Sequence, residues 1–211
     1  MKLIDLTHTF ERTMPVFPGM DAPVVERVFN IKEHHCNVTK LDILTHMGTH
    51  LDCSSHVIED GFFTSNKDIN FFFGEGKVID CSHLGKGDEI GVDVLDGVDT
   101  ENADFIFLYT GWDKNWNTNT YSEGFPVVSR ELAEKLGSMN IKGVGLDVVS
   151  LDKIEEAELS NHQVFLSKGK IIVENLTNLN ELVNREFKFI GLPLKIQEGD
   201  GSPIRAAALV E

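Results

Sequence analysis

A chain of 211 residues, 41% hydrophobic and 25% charged, has the length and composition to bury a sizeable core and is expected to fold as one domain over residues 1–211. Its net charge of −15 and pI near 4.9 repel phosphate backbones and anionic lipid, which argues against nucleic acid and membrane as partners, and no apolar run is long enough to span a bilayer. Cys36, Cys53 and Cys81 are odd in number and lack CxxC spacing, so no disulfide framework is expected.

Residues 2–10 alternate loosely and predict a first strand. They are interrupted by Asp5 and offer no signal-peptide core, which fits a cytoplasmic protein. The run from Met14 to Gly19 holds two prolines and a glycine, which force a rigid loop. Phe17 stands between the prolines; an aromatic on so stiff a support either walls a pocket or anchors a core. Residues 24–32 and 37–45 carry β-branched side chains and predict two antiparallel strands, with His34 and His35 solvated in the turn between them.

The second of these strands leads into His46-Met-Gly-Thr-His50-Leu-Asp52-Cys-Ser-Ser-His56. Three of the eight histidines fall in these eleven residues, with a carboxylate among them. Neutral imidazole and carboxylate are the usual ligands of zinc and similar divalent metals. His46, His50, Asp52 and His56 are separated by even numbers of residues, so an extended strand would turn all four to one face. Gly48, Ser54 and Ser55 work against strict extension, and a strand loosening into a loop after about Thr45 is expected. Cys53 has the opposite parity and reads as a small buried side chain.

Beyond His56, five phenylalanines between Phe62 and Phe73 suggest either a hydrophobic cover or ordinary core packing. Lys77–Cys81 predicts a short strand, and 85–104 a surface loop with one short helix. Phe105–Tyr109 is continuously apolar, as a strand buried on both faces must be. Ser129 predicts the N-cap of a helix running to about Met139, with Leu132, Leu136 and Met139 on one face. Ile141–Leu146, Gly169–Val173, Phe187–Leu192 and Ala206–Val210 predict further strands, Asn161–Leu166 a short helix, and Leu176–Leu182 a turn or short helix. His162 is the only histidine beyond position 83. Glu174 closes a β-branched run, where a carboxylate needs a partner. From spacing alone His8 and His83 remain alternatives to His162 as a distant ligand.

Metal-assisted hydrolysis of a small molecule is the chemistry this pattern points to. There is no Gly-x-Ser-x-Gly elbow for covalent catalysis. A structural or sensory metal site is the rival reading, but structural zinc is mostly held by cysteine, and this cluster is rich in His and Asp. Imidazole with carboxylate suits zinc, manganese or iron.

The run from His46 to His56 resembles the signature of the metal-dependent cyclase family, which includes bacterial kynurenine formamidases and isatin hydrolases. Ile4–His8, Met14–Gly19, Tyr109–Trp112, Gly145–Asp147, His162, Ile172–Leu176, Leu192–Lys195 and Asp200–Pro203 are similar to its other blocks, in order. The resemblance implies an α/β fold, a layered, barrel-like mixed β-sheet with helices packed outside, of the swivelling β/β/α type, in a homodimer. It implies two divalent ions, zinc or alternatively manganese. His46, His50 and Asp52 would bind one; Asp52 would bridge to a second, held also by His162 and Glu174. His56 would donate and accept the proton, and Phe17 would contact a small-molecule substrate. The implied reaction is hydrolysis of an arylformamide or, alternatively, of a cyclic amide. Two departures stand out. Ser54 replaces a family proline, which is expected to loosen the turn before His56. Phe17 replaces the tryptophan of the kynurenine formamidases, which weakens N-formylkynurenine as the substrate more than it weakens amide hydrolysis.

Overall fold

The computed structural model describes residues 1–211. In chain order the strands are β1 (Lys2–Asp5), β2 (Val24–Phe29), β3 (Val38–Asp42), β4 (His50–Asp52), β5 (Phe73–Asp80), β6 (Glu89–Ile90), β7 (Phe105–Tyr109), β8 (Val127–Val128), β9 (Gly143–Leu146), β10 (Ile171–Glu174), β11 (Phe187–Ile190), β12 (Gly201–Pro203) and β13 (Ala207–Val210). The helices are α1 (Ile31–His34), α2 (Arg130–Ser138) and α3 (Ser160–Leu166), and short 3₁₀ turns fill several connections.

Nine strands form one curled half-barrel sheet in the order β1-β13-β11-β5-β7-β9-β10-β4-β12. Its centre, β5 to β10, is parallel, and both flanks are antiparallel. This is the mixed α/β architecture expected. The continuous apolar run of β7 follows from its central place, because both faces are covered. Phe105 and Phe107 turn to a core with Ile171, Val173, Phe187 and Phe189. Ile106 and Leu108 turn the other way, against Val144, Leu146, Leu132 and Phe165. Gly145 on β9 makes room for the first of these layers, since a Cβ there would lie 2.4 Å from the Phe107 ring.

α2 begins where the sequence predicts. Ser129 accepts a hydrogen bond from the Leu132 amide at 3.0 Å, and Leu132, Ala133 and Leu136 form the buried stripe. Burying a leucine side chain of that kind stabilises by about 1.5–3 kcal/mol. α3 packs beside α2 on the same face of the sheet.

Several boundaries differ from expectation. The first strand stops at Asp5, because Thr7 bridges to Leu176 and draws the chain away from the sheet edge. Residues 24–32 and 37–45 shrink to β2 and β3, a separate hairpin whose turn holds α1 and His35 at φ 60°. His34 and His35 are exposed there, as read, with His34 stacked on Phe29. Three of the phenylalanines after His56 are core packing: Phe72 is buried, and Phe62 and Phe71 meet edge to face at 5.8 Å against the sheet, whereas Phe73 is exposed. β12 has no strand-like pattern in sequence, since two of its three residues are Gly201 and Pro203. No helix is long and apolar enough to cross a membrane.

Candidate metal centre

β4 and β10 run antiparallel, with Asp52 opposite Ile172 and His50 opposite Glu174. Alternation sends Leu51 and Val173 into the core and turns His50, Asp52 and Glu174 to the face that α3 covers. Strand register thus makes Glu174, remote in sequence, the cross-strand neighbour of His50. Nε2 of His50 lies 3.3 Å from Asp52 Oδ1 and 3.6 Å from Glu174 Oε2. From α3, His162 brings Nε2 to 3.2 Å from Glu174 Oε1 and 3.7 Å from Asp52 Oδ2. His46 brings Nδ1 to 2.6 Å from Asp52 Oδ1. Three groups of donors result, each with its ligand atoms within 4.8 Å of one another: His46–His50–Asp52 and Asp52–His162–Glu174, which share the buried Asp52, and a half-buried His46–His56–Asp200 at the edge of the centre.

One part of the sequence reading is corrected. The four residues of equal parity do not share one strand. β4 covers only His50–Asp52; His46 lies in the bent segment before it, where Gly48 has φ 63°, and His56 closes a 3₁₀ turn over Ser54–His56. β3 ends at Asp42 and the chain runs on as a loop past Thr45, as expected, but it does not stay irregular: the short strand β4 follows. Nor is the turn before His56 loosened by Ser54. Its buried hydroxyl accepts from the Phe62 amide at 2.8 Å, and Gly61 lies so close that a Cβ would fall 2.3 Å from the Ser54 carbonyl carbon.

Each of three imidazoles turns one nitrogen to the centre and gives the other to a fixed acceptor. His46 Nε2 donates to Asp200 Oδ2 at 2.9 Å, His50 Nδ1 to the Gly48 carbonyl at 2.9 Å, and His162 Nδ1 to Asp152 Oδ2 at 2.6 Å. Such outer contacts fix the tautomer and orientation of ligating histidines. Asp152 has a second task. It accepts the amides of Asn161 and His162 at 2.8 and 3.0 Å, capping α3, whose own N-cap position is Leu159 and has no side-chain oxygen. Sequence reasoning missed Asp152 altogether and gave Asp200 no role beyond its place in a family block. A helix starting at Ser160 after a leucine, in need of a cap from elsewhere, was the one available signal for Asp152.

The charges are arranged for a cation. Burial opposes charging of His46, but the Asp52 and Asp200 carboxylates beside it outweigh that and raise it to about 10. Burial likewise opposes charge on His162, and Asp152, Asp52 and Glu174 together push it well above the usual imidazole range. Asp52, despite complete burial, is held well below the usual carboxylate range by His50 and His46. Its Oδ2 is buried without a hydrogen-bond partner. Leaving a buried acceptor unsatisfied costs about 1–3 kcal/mol, more for a charged group. A divalent ion between these donors removes that cost, and the imidazole–carboxylate set suits one.

Above the centre opens a cavity of about 310 Å³. Phe17, Met20, Met47, Val149, Ile154 and Leu159 provide apolar wall, and no lysine or arginine lines it. His56 stands at its edge, with 22% of its side chain exposed and its ring 3.9 Å from that of His46. Asn175 lines the cavity too, tied by its amide to the Gly48 carbonyl and by its oxygen to the Tyr121 hydroxyl. Of the three alternatives for the distant histidine, His162 is the one brought to the centre. His8 stacks on Trp116 at 4.1 Å, and His83 is exposed.

Residues 4–153 match the family model described as "Putative cyclase". A kynurenine formamidase of Geobacillus thermodenitrificans is 31% identical over 207 residues, covering 97% of this chain and 95% of that protein. The kynurenine formamidase of Bacillus cytotoxicus is 30% identical, covering 96% and 95%. Among solved structures, isatin hydrolase A from Labrenzia aggregata, bound to benzyl benzoate, superposes with a TM-score of 0.89 at 26% identity, covering 100% of this chain and 94% of its own. The shared half-barrel, the match over most of the length and the likeness to full-length relatives agree: the chain belongs to the cyclase family.

Proposed function

We propose that this protein is a metal-dependent hydrolase of small amides, acting on C–N bonds other than peptide bonds, and specifically an arylformamidase. The observation that carries the reading is Asp52: one buried carboxylate, unsatisfied at Oδ2, common to two donor groups at the floor of an apolar cavity. His46, His50 and Asp52 would hold one ion, and Asp52, His162 and Glu174 would hold a second. Zinc suits these ligands best, and manganese is the alternative. Divalent ions held there would supply an activated water at neutral pH and polarise the carbonyl of the amide.

The chain's own residues do the rest. Apolar walls with Phe17 among them take an aromatic ring and exclude water from the centre. Imidazole gains and loses protons readily near neutrality, and His56 carries the proton from the attacking water to the leaving nitrogen. Water adds to the formyl carbon, the C–N bond breaks, and the products are formate and an aryl amine. Hydrolysis of a cyclic amide is the second reading, supported by the likeness to isatin hydrolase; it gives one ring-opened carboxylate and no formate. The 211 residues serve as a single domain for this purpose. Free Cys36, Cys53 and Cys81 fit a cytoplasmic setting.

A homodimer completes the proposal. All five residues of β3 are exposed, and the hairpin carries Val28, Phe29, Val38 and Leu41 open to solvent. A lone two-stranded hairpin is marginal in water, and a second copy is the natural cover. Sedimentation of the purified protein at micromolar concentration is expected to give twice the chain mass.

Elemental analysis of purified protein, followed by assay on N-formylkynurenine, formanilide and isatin, tests the activity. Two equivalents of metal and formate release from the formamides are expected. Firm metal binding with no turnover of any of the three would replace the enzyme with a metal sensor.

A further inference from the structure

We propose that Asp200 is a positioning residue shared by both tasks of the site: its one carboxylate fixes the ligand His46 and the proton carrier His56 relative to each other. The inference rests on the reading of the centre just given. Asp200 stands at the entry to β12, where Gly201 lies opposite Asp52 and the Asp200 carbonyl accepts the Cys53 amide at 2.8 Å. The strand that carries the ligands therefore also sets where this carboxylate lies. Thr45 donates its hydroxyl to Oδ1 at 2.9 Å, which turns Oδ2 to the imidazoles.

Oδ2 accepts from His46 Nε2 at 2.9 Å and stands 3.6 Å from His56 Nδ1. The second distance is too long for a hydrogen bond but within ion-pair reach. The His56 ring is partly open to solvent, and a small swing closes the gap. The backbone of β12 supports the same arrangement, since a Cβ on Gly201 would lie 2.6 Å from His46 Cε1. His46 is thus held between a strand backbone and a carboxylate, with Nδ1 left for the cation. The two rings are 3.9 Å apart and tilted by 32°, so a proton carried on His56 faces another imidazole. A carboxylate at their common edge offsets that positive charge, as an orienting carboxylate does beside a general-base histidine.

Three full-length variants test this: Asp200→Ala, Asp200→Asn and His46→Ala. Zinc affinity is measured by competition with a chromophoric chelator, and kcat and KM with formanilide. Asp200→Ala is expected to lower zinc affinity about 10–100-fold. Asp200→Asn keeps an acceptor for His46 and is expected to recover most of that affinity, while kcat stays about 10–100-fold below wild type at unchanged KM. Asparagine is nearly isosteric at a partly exposed position, so misfolding does not explain such a split. An Asp200→Ala affinity within twofold of wild type, or an Asp200→Asn kcat equal to wild type, overturns the proposal. Wild-type protein that binds no zinc, or His46→Ala that binds it as wild type does, overturns instead the underlying reading of the centre.

Discussion

Asp52 and His56 lie in one short segment, and the proposed function gives them separable duties. Asp52→Ala removes the carboxylate common to two donor groups, so both ions are expected to be lost on gel filtration, with turnover down by at least about 10²-fold. Elemental analysis checks this, and a metal content equal to wild type would disprove the bridge. His56→Ala leaves both groups intact; metal content is expected to hold while kcat falls about 10²–10⁴-fold, the usual range for a lost general acid–base. His8 shows how a histidine of the opening segment serves the fold instead. Burial pushes it down to about 4, below the ordinary imidazole value of 6.5. The unfolded chain therefore binds the proton first as the solution is acidified. Stability contributed by His8 is complete above pH 6.5 and is lost as pH falls from there toward 4. His8→Phe keeps a ring to stack on Trp116 and is expected to narrow the stability gap between pH 7.5 and pH 5, read by urea unfolding at both.

At the level of elements, short strands govern the site more than long ones. β4 has three residues and β12 three, yet the register of β4 against β10 aligns His50 with Glu174, and that of β12 against β4 sets Gly201 opposite Asp52 and beside His46. The close approach of β12 allows no side chain at Gly201: a Cβ would also meet the Leu51 carbonyl oxygen at 2.7 Å, and backbone cannot yield cheaply. Gly201→Ala is expected to cost about 1–3 kcal/mol and to weaken metal binding together with stability, checked by thermal unfolding and chelator competition on the same sample. The segments Tyr109–Trp112 and Gly145–Asp147 serve as scaffolding. Asp147, at the end of β9, accepts both amides of the Thr110–Gly111 turn and the Thr110 hydroxyl, which ties the end of β7 to its neighbour. Burial raises the Asp147 carboxyl to about 6 in spite of these bonds.

Over the whole molecule, the sheet buries two cores, one on each face, and the site occupies the helix-covered face where β4, β10 and α3 meet. A cation held only by the folded arrangement of these carboxylates and imidazoles would add its binding free energy to folding, so metal and stability are linked. A chelator is expected to lower Tm: saturating metal at 100 times its Kd contributes about 2.7 kcal/mol, and each kcal/mol moves Tm by about 2–4 °C in a chain of this size. Calorimetry with and without chelator checks it, and an unchanged Tm would contradict metal binding confined to the folded state. The long apolar strand β7 and helix α2 were legible in the sequence because their burial is local and periodic: Phe105–Tyr109 needs both faces covered, and Ser129 announces the helix it caps. A cluster of candidate donors was legible too, since His46, His50, Asp52 and His56 crowd one segment, although spacing left His8 and His83 open beside His162. The roles of Asp152 and Asp200 were not, nor was β12. A carboxylate's partner is chosen by strand register and by the docking of α3, contacts between residues far apart in the chain that leave no periodic trace. Sequence therefore determined which groups can meet a cation; tertiary structure decided which nitrogen each imidazole turns toward it, because the hydrogen bond that makes that choice comes from elsewhere in the fold.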